Sequence, residues 1–286
     1  MRRLSGLAAL PHLAFETVSG GAAPSRTAWF LHGLLGQGRN WRGFAKRLLE
    51  HPGVDSQAWR LLLVDLRCHG GSSSLFTGPH TVAAAAADLA RLAAHTGAPD
   101  LVVGHSMGGK VALAFAELSG LAARTWVLDS MPGRVEGDPH GVRSILAAVA
   151  DLPPLLQSRE GLQQALRSRV SPAIAAWLAS SLVPATAGGP LTGPLRFNFA
   201  FQDALQLFED YRSTDCWHVV SSPPAGADVH LLCAGKSAAW SDPAVARTLA
   251  MLPASRVHVI KEAGHWLHTT HPGEVAGLLA EHAMRT

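Results

Sequence analysis

The stretch LVVGHSMGGKVALAFAELSG, residues 101–120, constrains the fold of this chain more than any other part of it. Residues 101–103 are apolar and suit a buried strand, whereas residues 111–118 are all compatible with a helix. Gly120 then supplies a candidate C-terminal helix cap. The few residues between strand and helix therefore predict a sharp strand-to-helix turn with Ser106 at its tip.

A turn of this kind meets the needs of a serine nucleophile. A serine hydroxyl reacts poorly at neutral pH, so it must be exposed, close to a base and near donors that stabilise an oxyanion. The turn forces Ser106 into an unfavourable backbone conformation, which Gly104 and Gly108 permit because they have no Cβ atom. The following helix also directs free N–H groups at the developing charge. The pattern G-x-S-x-G therefore predicts a nucleophile elbow, with a glycine-rich structural turn as the alternative.

The composition restricts the class of protein that surrounds this turn. Hydrophobic residues make up 48% of the 286 residues and charged residues 16%, which excludes disorder and favours a compact, enzyme-like body. The net charge is only +3 and the basic residues are scattered, so we expect no nucleic-acid partner. No apolar run reaches the roughly eighteen residues of a membrane span.

The cysteines and the N-terminus bear on where the protein works. Cys68, Cys216 and Cys233 form no C-x-x-C pair and no even-numbered framework, as expected of an intracellular protein with reduced thiols. Residues 1–15 carry two arginines, but Pro11 interrupts the short apolar stretch before a signal-peptide core develops. We therefore expect a soluble intracellular protein. Its location is the cytoplasm or, if the N-terminus is the remnant of a transit sequence, an organelle such as the mitochondrion or plastid.

Short apolar strands alternate with helices along most of the chain. Strands are expected at residues 13–18, 29–31, 61–64, 101–103, 125–128, 229–233 and 257–260. The helices between them include an alanine-rich one that Thr81 caps. This alternation predicts an α/β fold with a mostly parallel central sheet covered by helices on both faces. In such a fold ligands bind outside the carboxyl ends of the strands.

Residues 131–218 interrupt the alternation. They contain no β-α-β pattern, but helical stretches at residues 144–150, 160–168 and 173–182. In the last of these, apolar residues around Trp177 recur at intervals of three and four and form one apolar face. The phenylalanines of RFNFAF, residues 196–201, alternate as in a strand or hairpin arm. We predict a core of residues 1–130 and 219–286 with a mainly helical lid of residues 131–218. The alternative is that these helices only complete the core.

A serine nucleophile requires a histidine base within hydrogen-bonding reach and an acid that orients the histidine. Among fifteen histidines, His265 directly follows the last predicted strand, on the same edge of the sheet as Ser106. His258 lies within that strand and is expected in the core. His265, His268 and His271 have no carboxylate or cysteine at a matching spacing, so the sequence predicts no metal site.

The sequence HGLLG follows the second predicted strand and matches the loop that supplies one N–H group of an oxyanion hole. The other N–H group belongs to the residue after the nucleophile. We therefore expect the backbone N–H groups of Leu34 and Met107 to form the oxyanion hole, with a glycine-rich turn without chemistry as the alternative. The candidate substrate-binding residues are the first residue of this loop and three aromatic residues of the predicted lid, His32, Trp177, Phe197 and Phe199.

Four motifs at strand ends together carry a resemblance: HG, DLRCHGGS, GHSMGG and GH. In this combination the chain resembles the α/β-hydrolase superfamily over essentially its whole length. More narrowly it resembles esterases of the abhydrolase-domain-eleven type and their short bacterial relatives. The matching segments are FLHGLLG at residues 30–36, GHSMGGK at 104–110, LRFN at 195–198 and GHW at 264–266. The resemblance implies an α/β-hydrolase fold and hydrolysis of carboxylic esters of small to medium acyl chain without a cofactor.

The acid has two candidates. The superfamily usually places it after the strand of residues 229–233, where this sequence offers no carboxylate before Asp242. Asp129 ends the preceding strand, and the narrower family is similar in using that position. Because neighbouring strands lie about 4.8 Å apart, Asp129 is close enough to reach a histidine beside Ser106, whereas Asp242 is placed to cap the next helix. We predict a triad of Ser106, His265 and Asp129, with Asp242 as the alternative acid.

These residues predict a serine hydrolase that cleaves a small-molecule acyl ester or thioester through an acyl-enzyme on Ser106. Serine rather than aspartate at the elbow argues against epoxide-hydrolase or dehalogenase chemistry, which needs a carboxylate nucleophile. Two other functions stay open. One is an acyltransferase with the same triad, and the other is a ligand-binding receptor on a hydrolase scaffold.

Overall fold

The computed structural model describes residues 11–285 except residues 122, 139, 187 and 191. The first ten residues of the possible transit remnant lie outside the described residues. The strands in the described part are β1 (Phe15–Ser19), β2 (Arg26–Leu31), β3 (Trp59–Val64), β4 (Leu101–His105), β5 (Arg124–Leu128), β6 (Leu182–Pro184), β7 (Leu195–Phe197), β8 (Asp228–Ala234) and β9 (Val257–Ile260).

The helices complete the element order. They are α1 (Arg42–Leu49), α2 (Val82–Thr96), α3 (Met107–Ser119), α4 (Val142–Ala150), α5 (Arg159–Leu166), α6 (Pro172–Ser180), α7 (Phe201–Ser213), α8 (Trp217–Ser221), α9 (Pro243–Ala250), α10 (Leu267–Thr270) and α11 (Pro272–His282). None of the helices in the described part of the chain is both long and apolar enough to cross a lipid bilayer.

Seven strands form one sheet in the order β1-β3-β2-β4-β5-β8-β9. Strand β1 is antiparallel to β3, and every other pair in this sheet is parallel. The predicted α/β fold with a mostly parallel sheet is therefore confirmed. Strands β2, β4, β5 and β9 end at the same edge, which brings the segments that follow them together.

The sheet is buried on both faces, as a parallel sheet must be. Side chains of β2 alternate between two apolar clusters: Trp29 belongs to the cluster that includes α2 and α3, and Phe30 to the cluster that includes α1 and α11. Both rings are completely buried. Burial of this kind stabilises the fold by about 25 cal/mol per Å² of apolar surface, so the sheet is a rigid platform for the segments at its edge.

The segment of residues 131–218 lies between β5 and β8 and contains α4 to α7, the first two residues of α8 and the β6–β7 pair. Its apolar side chains, among them Leu162, Leu178 and Leu207, belong to the same buried cluster as Phe115 of α3. The division of the chain into a core and a lid at these boundaries stays a prediction.

Two sequence expectations for this segment are wrong in detail. The helix expected over residues 173–182 ends at Ser180, and Leu182 instead begins strand β6. In the stretch RFNFAF only Phe197 lies in a strand, because Phe201 begins helix α7. The alternation of phenylalanines is therefore a coincidence of a short strand, an isolated bridge at Phe199 and a helix start. Nothing in the sequence analysis indicated α7.

Candidate active site

Ser106 occupies the one residue between the end of β4 and the start of α3. Its backbone has φ 53° and ψ −122°, a conformation that non-glycine residues rarely adopt and that costs of order 1–3 kcal/mol. Close packing around the turn holds this conformation in place, since α3 passes near the end of β2. A Cβ atom on Gly108 would lie 2.6 Å from the carbonyl oxygen of His32. Ser106 is consequently more exposed than the strand and helix residues on either side of it.

The structure brings Ser106, His265 and Asp129 into one hydrogen-bonded chain. The distance from Ser106 Oγ to His265 Nε2 is 3.1 Å, and the distance from His265 Nδ1 to Asp129 Oδ2 is 2.7 Å. This network assigns the proton of the neutral imidazole to Nδ1, where it is donated to the carboxylate. Nε2 is then free to accept the proton of the serine hydroxyl.

Asp129 is held rigidly at the end of β5. Its Oδ1 accepts hydrogen bonds from the backbone N–H of Ala234 at 3.0 Å and from Nε1 of Trp240. Burial alone would raise the pKa of Asp129, but the hydrogen bonds from His265, Trp240 and Ala234 outweigh it and lower the pKa. The buried carboxyl group is therefore ionised and has a fixed orientation toward His265.

Asp242, the alternative acid, lies elsewhere and does other work. Its Oδ1 accepts a hydrogen bond of 2.6 Å from the backbone N–H of Ala244 and so caps helix α9. Asp242 is exposed, and in the described part of the chain the carboxylate that bonds His265 belongs to Asp129.

His105 holds the loop that carries His265. Its Nε2 donates a hydrogen bond of 2.8 Å to the backbone carbonyl of His265, and its ring lies 4.5 Å from that of His268. Burial, followed by the charges of His268 and His265, keeps the pKa of His105 well below its usual value. His105 is therefore neutral, and its side chain bonds the loop rather than the Ser106 hydroxyl.

Two buried histidines shape the loop after β2. His32 Nε2 accepts from the backbone N–H of Leu66, and His69 Nε2 accepts from the backbone N–H of Leu35, both at 3.0 Å. Burial lowers the pKa of His32 to about 4 and that of His69 to about 3, so both rings are neutral acceptors. Both nitrogens of His32 are engaged by backbone, since Nδ1 bonds the carbonyl of Gly33. His32 thus offers ring surface to a ligand and no free polar atom.

The N–H groups of Leu34 and Met107 have no hydrogen-bond acceptor within the described residues. Met107 is the first residue of α3, so its N–H has no partner inside the helix. Leu34 lies in the turn that the Gly36 N–H closes on Gly33. Within the part of the chain that the structure describes, the two groups that the sequence selects for an oxyanion hole are therefore free to donate to a ligand.

A cavity of about 70 Å³ lies next to Ser106 and His265 and opens to solvent. Its apolar wall comes from Trp41, Val142, Ile145, Trp177 and Trp266, and the HGLLG loop forms the opposite side. Trp177, one of the predicted substrate-binding residues, therefore lines this cavity, and its contact with substrate stays a prediction.

The structure does not bring the two phenylalanines to this cavity. The rings of Phe197 and Phe199 stack on each other with their centroids 4.6 Å apart, and neither lines the cavity. Phe199 is buried and forms a bridge with His69, so its backbone supports the loop behind the site.

Three further residues at the site were not found by sequence reasoning. His140 stacks on His265 with ring centroids 3.8 Å apart, and burial with the nearby charge of His265 lowers its pKa to about 4. Tyr211 of α7 lines a smaller cavity on the other side of Ser106, and burial raises its pKa to about 12. Trp240 donates to Asp129. Each belongs to a segment distant in sequence, so no local pattern could have identified it.

Asp129, His140 and His265 are the group within the described residues that a cation could use, since their ligand atoms all lie within 4.8 Å of one another. Two of these atoms already share the hydrogen bond between His265 Nδ1 and Asp129. A cation bound there would break that bond, so the arrangement as it stands suits proton transfer better than metal binding.

Comparison with known proteins gives a consistent result. A model of the alpha/beta hydrolase family matches residues 30–278. The chain is 30% identical over 257 residues to the sn-1-specific diacylglycerol lipase ABHD11 of Mus musculus, which covers 85% of this chain and 76% of that protein.

Solved structures show the same fold. A marine microorganism esterase superimposes with a TM-score of 0.77 at 21% identity, over 94% of this chain and 98% of the other. A thermophilic esterase from Thermogutta terrifontis has a TM-score of 0.63 at 20% identity, over 94% and 92% of the two chains.

Proposed function

Because the chain belongs to the alpha/beta hydrolase family, we propose that it is a serine hydrolase which cleaves carboxylic esters through an acyl-enzyme on Ser106. The observation that carries the proposal is the hydrogen-bonded chain from Ser106 through His265 to Asp129. This hydrogen-bonded network ends at a strained, partly exposed serine, beside two backbone N–H groups that bond no acceptor among the described residues.

The geometry supports a role for each of these residues in ester cleavage. His265 Nε2 takes the proton of Ser106 as Oγ attacks the ester carbonyl, and the N–H groups of Leu34 and Met107 stabilise the oxyanion that forms. Asp129 stabilises the imidazolium. When the intermediate collapses, the leaving alcohol takes the proton from His265 Nε2. A water molecule then attacks the acyl-enzyme by the same route, releasing the acid and restoring Ser106.

The substrate proposed is an ester of small to medium acyl chain. The apolar wall formed by Val142, Ile145 and Trp177 suits a hydrocarbon chain next to the reacting serine. The relative from Mus musculus is named a diacylglycerol lipase, which is also an ester hydrolase. A thioester presents the same carbonyl to Ser106, and comparing oxygen and sulfur esters of one acyl chain measures which is preferred.

A fluorophosphonate probe tests the nucleophile. It should label the protein once, and Ser106→Ala should abolish the label while leaving the melting temperature close to that of the unaltered protein. His265→Ala should retain the fold and lower turnover by several orders of magnitude. His258→Ala should not cause such a loss of turnover. Labelling that persists in Ser106→Ala would exclude Ser106 as the nucleophile.

A series of p-nitrophenyl esters, with and without an alcohol acceptor, then tests the reaction. Hydrolysis that is unaffected by the alcohol supports a hydrolase, whereas formation of a new ester as the main product supports an acyltransferase. An unreactive protein that still binds an ester analogue would support a receptor instead.

A further inference from the structure

Three arginines line a surface groove beside the cavity that Ser106 and Trp177 line, named the acyl cavity after its proposed role. Arg39, Arg42 and Arg159 contribute to this arginine groove together with polar and small residues, Asn40, Gln163, Ala176, Ala179 and Ser180. No carboxylate lines it in the described part of the chain. The groove is therefore a concentration of positive charge on a protein whose net charge is only +3.

The arginine groove lies next to the candidate active site. Asn40 lines both the groove and the cavity that contains Ser106. Helix α6 separates the two: Trp177 faces the cavity, whereas Ala179 and Ser180 face the groove. A substrate whose ester lies at Ser106 would reach the arginines by passing Asn40, the residue that lines both the cavity and the groove.

Part of the arginines' hydrogen-bonding capacity is used within the protein. Arg39 Nη2 donates to the carbonyl of Ser180, and Arg159 donates to the carbonyls of Ala179 and Leu182. The bonds to Ser180 and Ala179 cap the C-terminal end of α6, and the bond to Leu182 reaches the start of β6. Arg42 Nε donates to the carboxylate of Glu16.

These bonds leave several donors without a partner. Each guanidinium has five N–H donors, and among the described residues Nη1 of Arg39, Nη1 of Arg159 and both Nη atoms of Arg42 bond no acceptor. The caps of α6 hold two of the three arginines in place while these donors stay available.

The positive charges also repel one another. Burial lowers the pKa of Arg39, and the charges of Arg159 and Arg42 lower it further. Asp65 and Glu16 oppose this effect, but both Asp65 oxygens already accept backbone N–H groups and Glu16 pairs with Arg42. An anion bound among the three arginines would reduce the repulsion and use the free donors.

We propose that the arginine groove binds a phosphate group of the substrate, so that this protein prefers acyl esters whose alcohol carries a phosphate. Guanidinium groups bind phosphate oxygens in pairs, which a single lysine cannot do. This inference rests on the proposed function. The bond that breaks is the acyl ester at Ser106, and the phosphate leaves unchanged on the released alcohol.

Binding can be measured without turnover. In Ser106→Ala, calorimetry should detect glycerol 3-phosphate but not glycerol. Adding Arg42→Gln or Arg159→Gln should weaken the binding about fivefold, the effect of one partly exposed ion pair. Arg169→Gln is the matched control, because Arg169 forms an exposed ion pair with Asp151 outside the groove. Absence of binding, or equal weakening in all three variants, would overturn the proposal.

Turnover gives the second test. The kcat/KM for 1-butanoylglycerol 3-phosphate should exceed that for 1-butanoylglycerol, and the ratio should fall toward one in Arg42→Gln and in high salt. Butanoyl-coenzyme A, compared with a butanoyl thioester of N-acetylcysteamine, shows whether a nucleotide phosphate serves as well. A ratio that Arg42→Gln does not change in either pair contradicts the inference. Binding of glycerol 3-phosphate without hydrolysis of any ester would contradict the proposed hydrolase and leave the groove assigned.

Discussion

At the scale of single residues, the histidines of the four sequence motifs form different hydrogen bonds, and their surroundings determine which. His32 and His69 are buried acceptors for backbone N–H groups, and His105 donates to a backbone carbonyl. Only His265 has one nitrogen on a carboxylate and the other on a serine hydroxyl. The sequence distinguishes His265 from the others because it follows the last strand. The hydrogen-bonding role of each histidine, however, depends on its burial and its partners.

The identity of the acid gives the sharpest prediction at this scale. Asp129→Asn should lower kcat by about three to four orders of magnitude with the fold intact, judging from the aspartate of the serine proteases. The reason is that an amide in place of Oδ2 no longer selects the tautomer with a free Nε2 on His265. Steady-state kinetics on a p-nitrophenyl ester and a melting curve check it.

Asp242→Asn is the matched control, since asparagine also caps helices well and only a small loss of stability is expected. The reverse outcome, with Asp242→Asn inactive and Asp129→Asn near normal, would move the acid to the place that is usual in the superfamily.

At the scale of elements, Lys110 fastens helix α3 to the inserted segment. Its side chain is fully buried, and Nζ donates to the carbonyls of Gly133, Tyr211 and Thr214 at 2.6–2.9 Å. The ammonium also lies 4.4 Å from the centre of the Tyr211 ring. One side chain thus joins the elbow helix to both ends of the segment that covers it.

Lys110→Met should therefore destabilise the protein by about 3 kcal/mol, because three buried carbonyls lose their donor. Urea unfolding measures the loss. Lys236→Met serves as the control, since Lys236 forms an exposed ion pair with Glu262 and its loss should change the free energy of unfolding much less. Similar losses of unfolding free energy in both variants would contradict a stabilising role for the three hydrogen bonds of Lys110.

Helix α6 gives a prediction on specificity. Trp177→Ala enlarges the acyl cavity, so kcat/KM for long relative to short p-nitrophenyl esters should rise about tenfold. Phe199→Ala, a buried aromatic outside the cavity, should lower the melting temperature and leave that ratio unchanged. If Trp177→Ala instead lowers activity on all esters alike, Trp177 contributes packing only.

At the scale of the whole molecule, buried neutral histidines make the fold sensitive to acid. Burial lowers the pKa of His32 to about 4 and those of His69 and His268 to about 3, against about 6.5 in an unfolded chain. Between pH 6.5 and about 4 the unfolded chain therefore binds more protons than the folded one. The free energy of unfolding should therefore decrease as the pH is lowered through this window, by at most about 1.4 kcal/mol per pH unit for each histidine.

Urea unfolding at pH 7.0 and pH 5.0 measures this fall. His69→Gln should make it smaller, because the amide preserves an acceptor for the Leu35 N–H without titrating. His218→Gln is the control, since the side chain of His218 is 60% exposed and should not change the slope. A stability that does not vary between the two pH values would show that these histidines are not buried in solution.

The sequence by itself determined the sheet and the edge at which chemistry can occur. Strand and turn patterns are local, so short apolar runs such as residues 101–103 and the glycines around Ser106 specify β4, the elbow and the strain there. His265 follows β9 and Asp129 follows β5. Both were therefore expected near Ser106, because parallel strands end at one edge of the sheet.

Only the tertiary structure decided what surrounds these residues. Helix α7, the stack of His140 on His265 and the bond from Trp240 to Asp129 join segments far apart in sequence. Trp177 lines the cavity and Phe199 does not, although both lie in apolar patterns of one inserted segment. The physical reason is that periodicity tells which residues are buried, whereas the partners of a buried side chain depend on how whole elements pack.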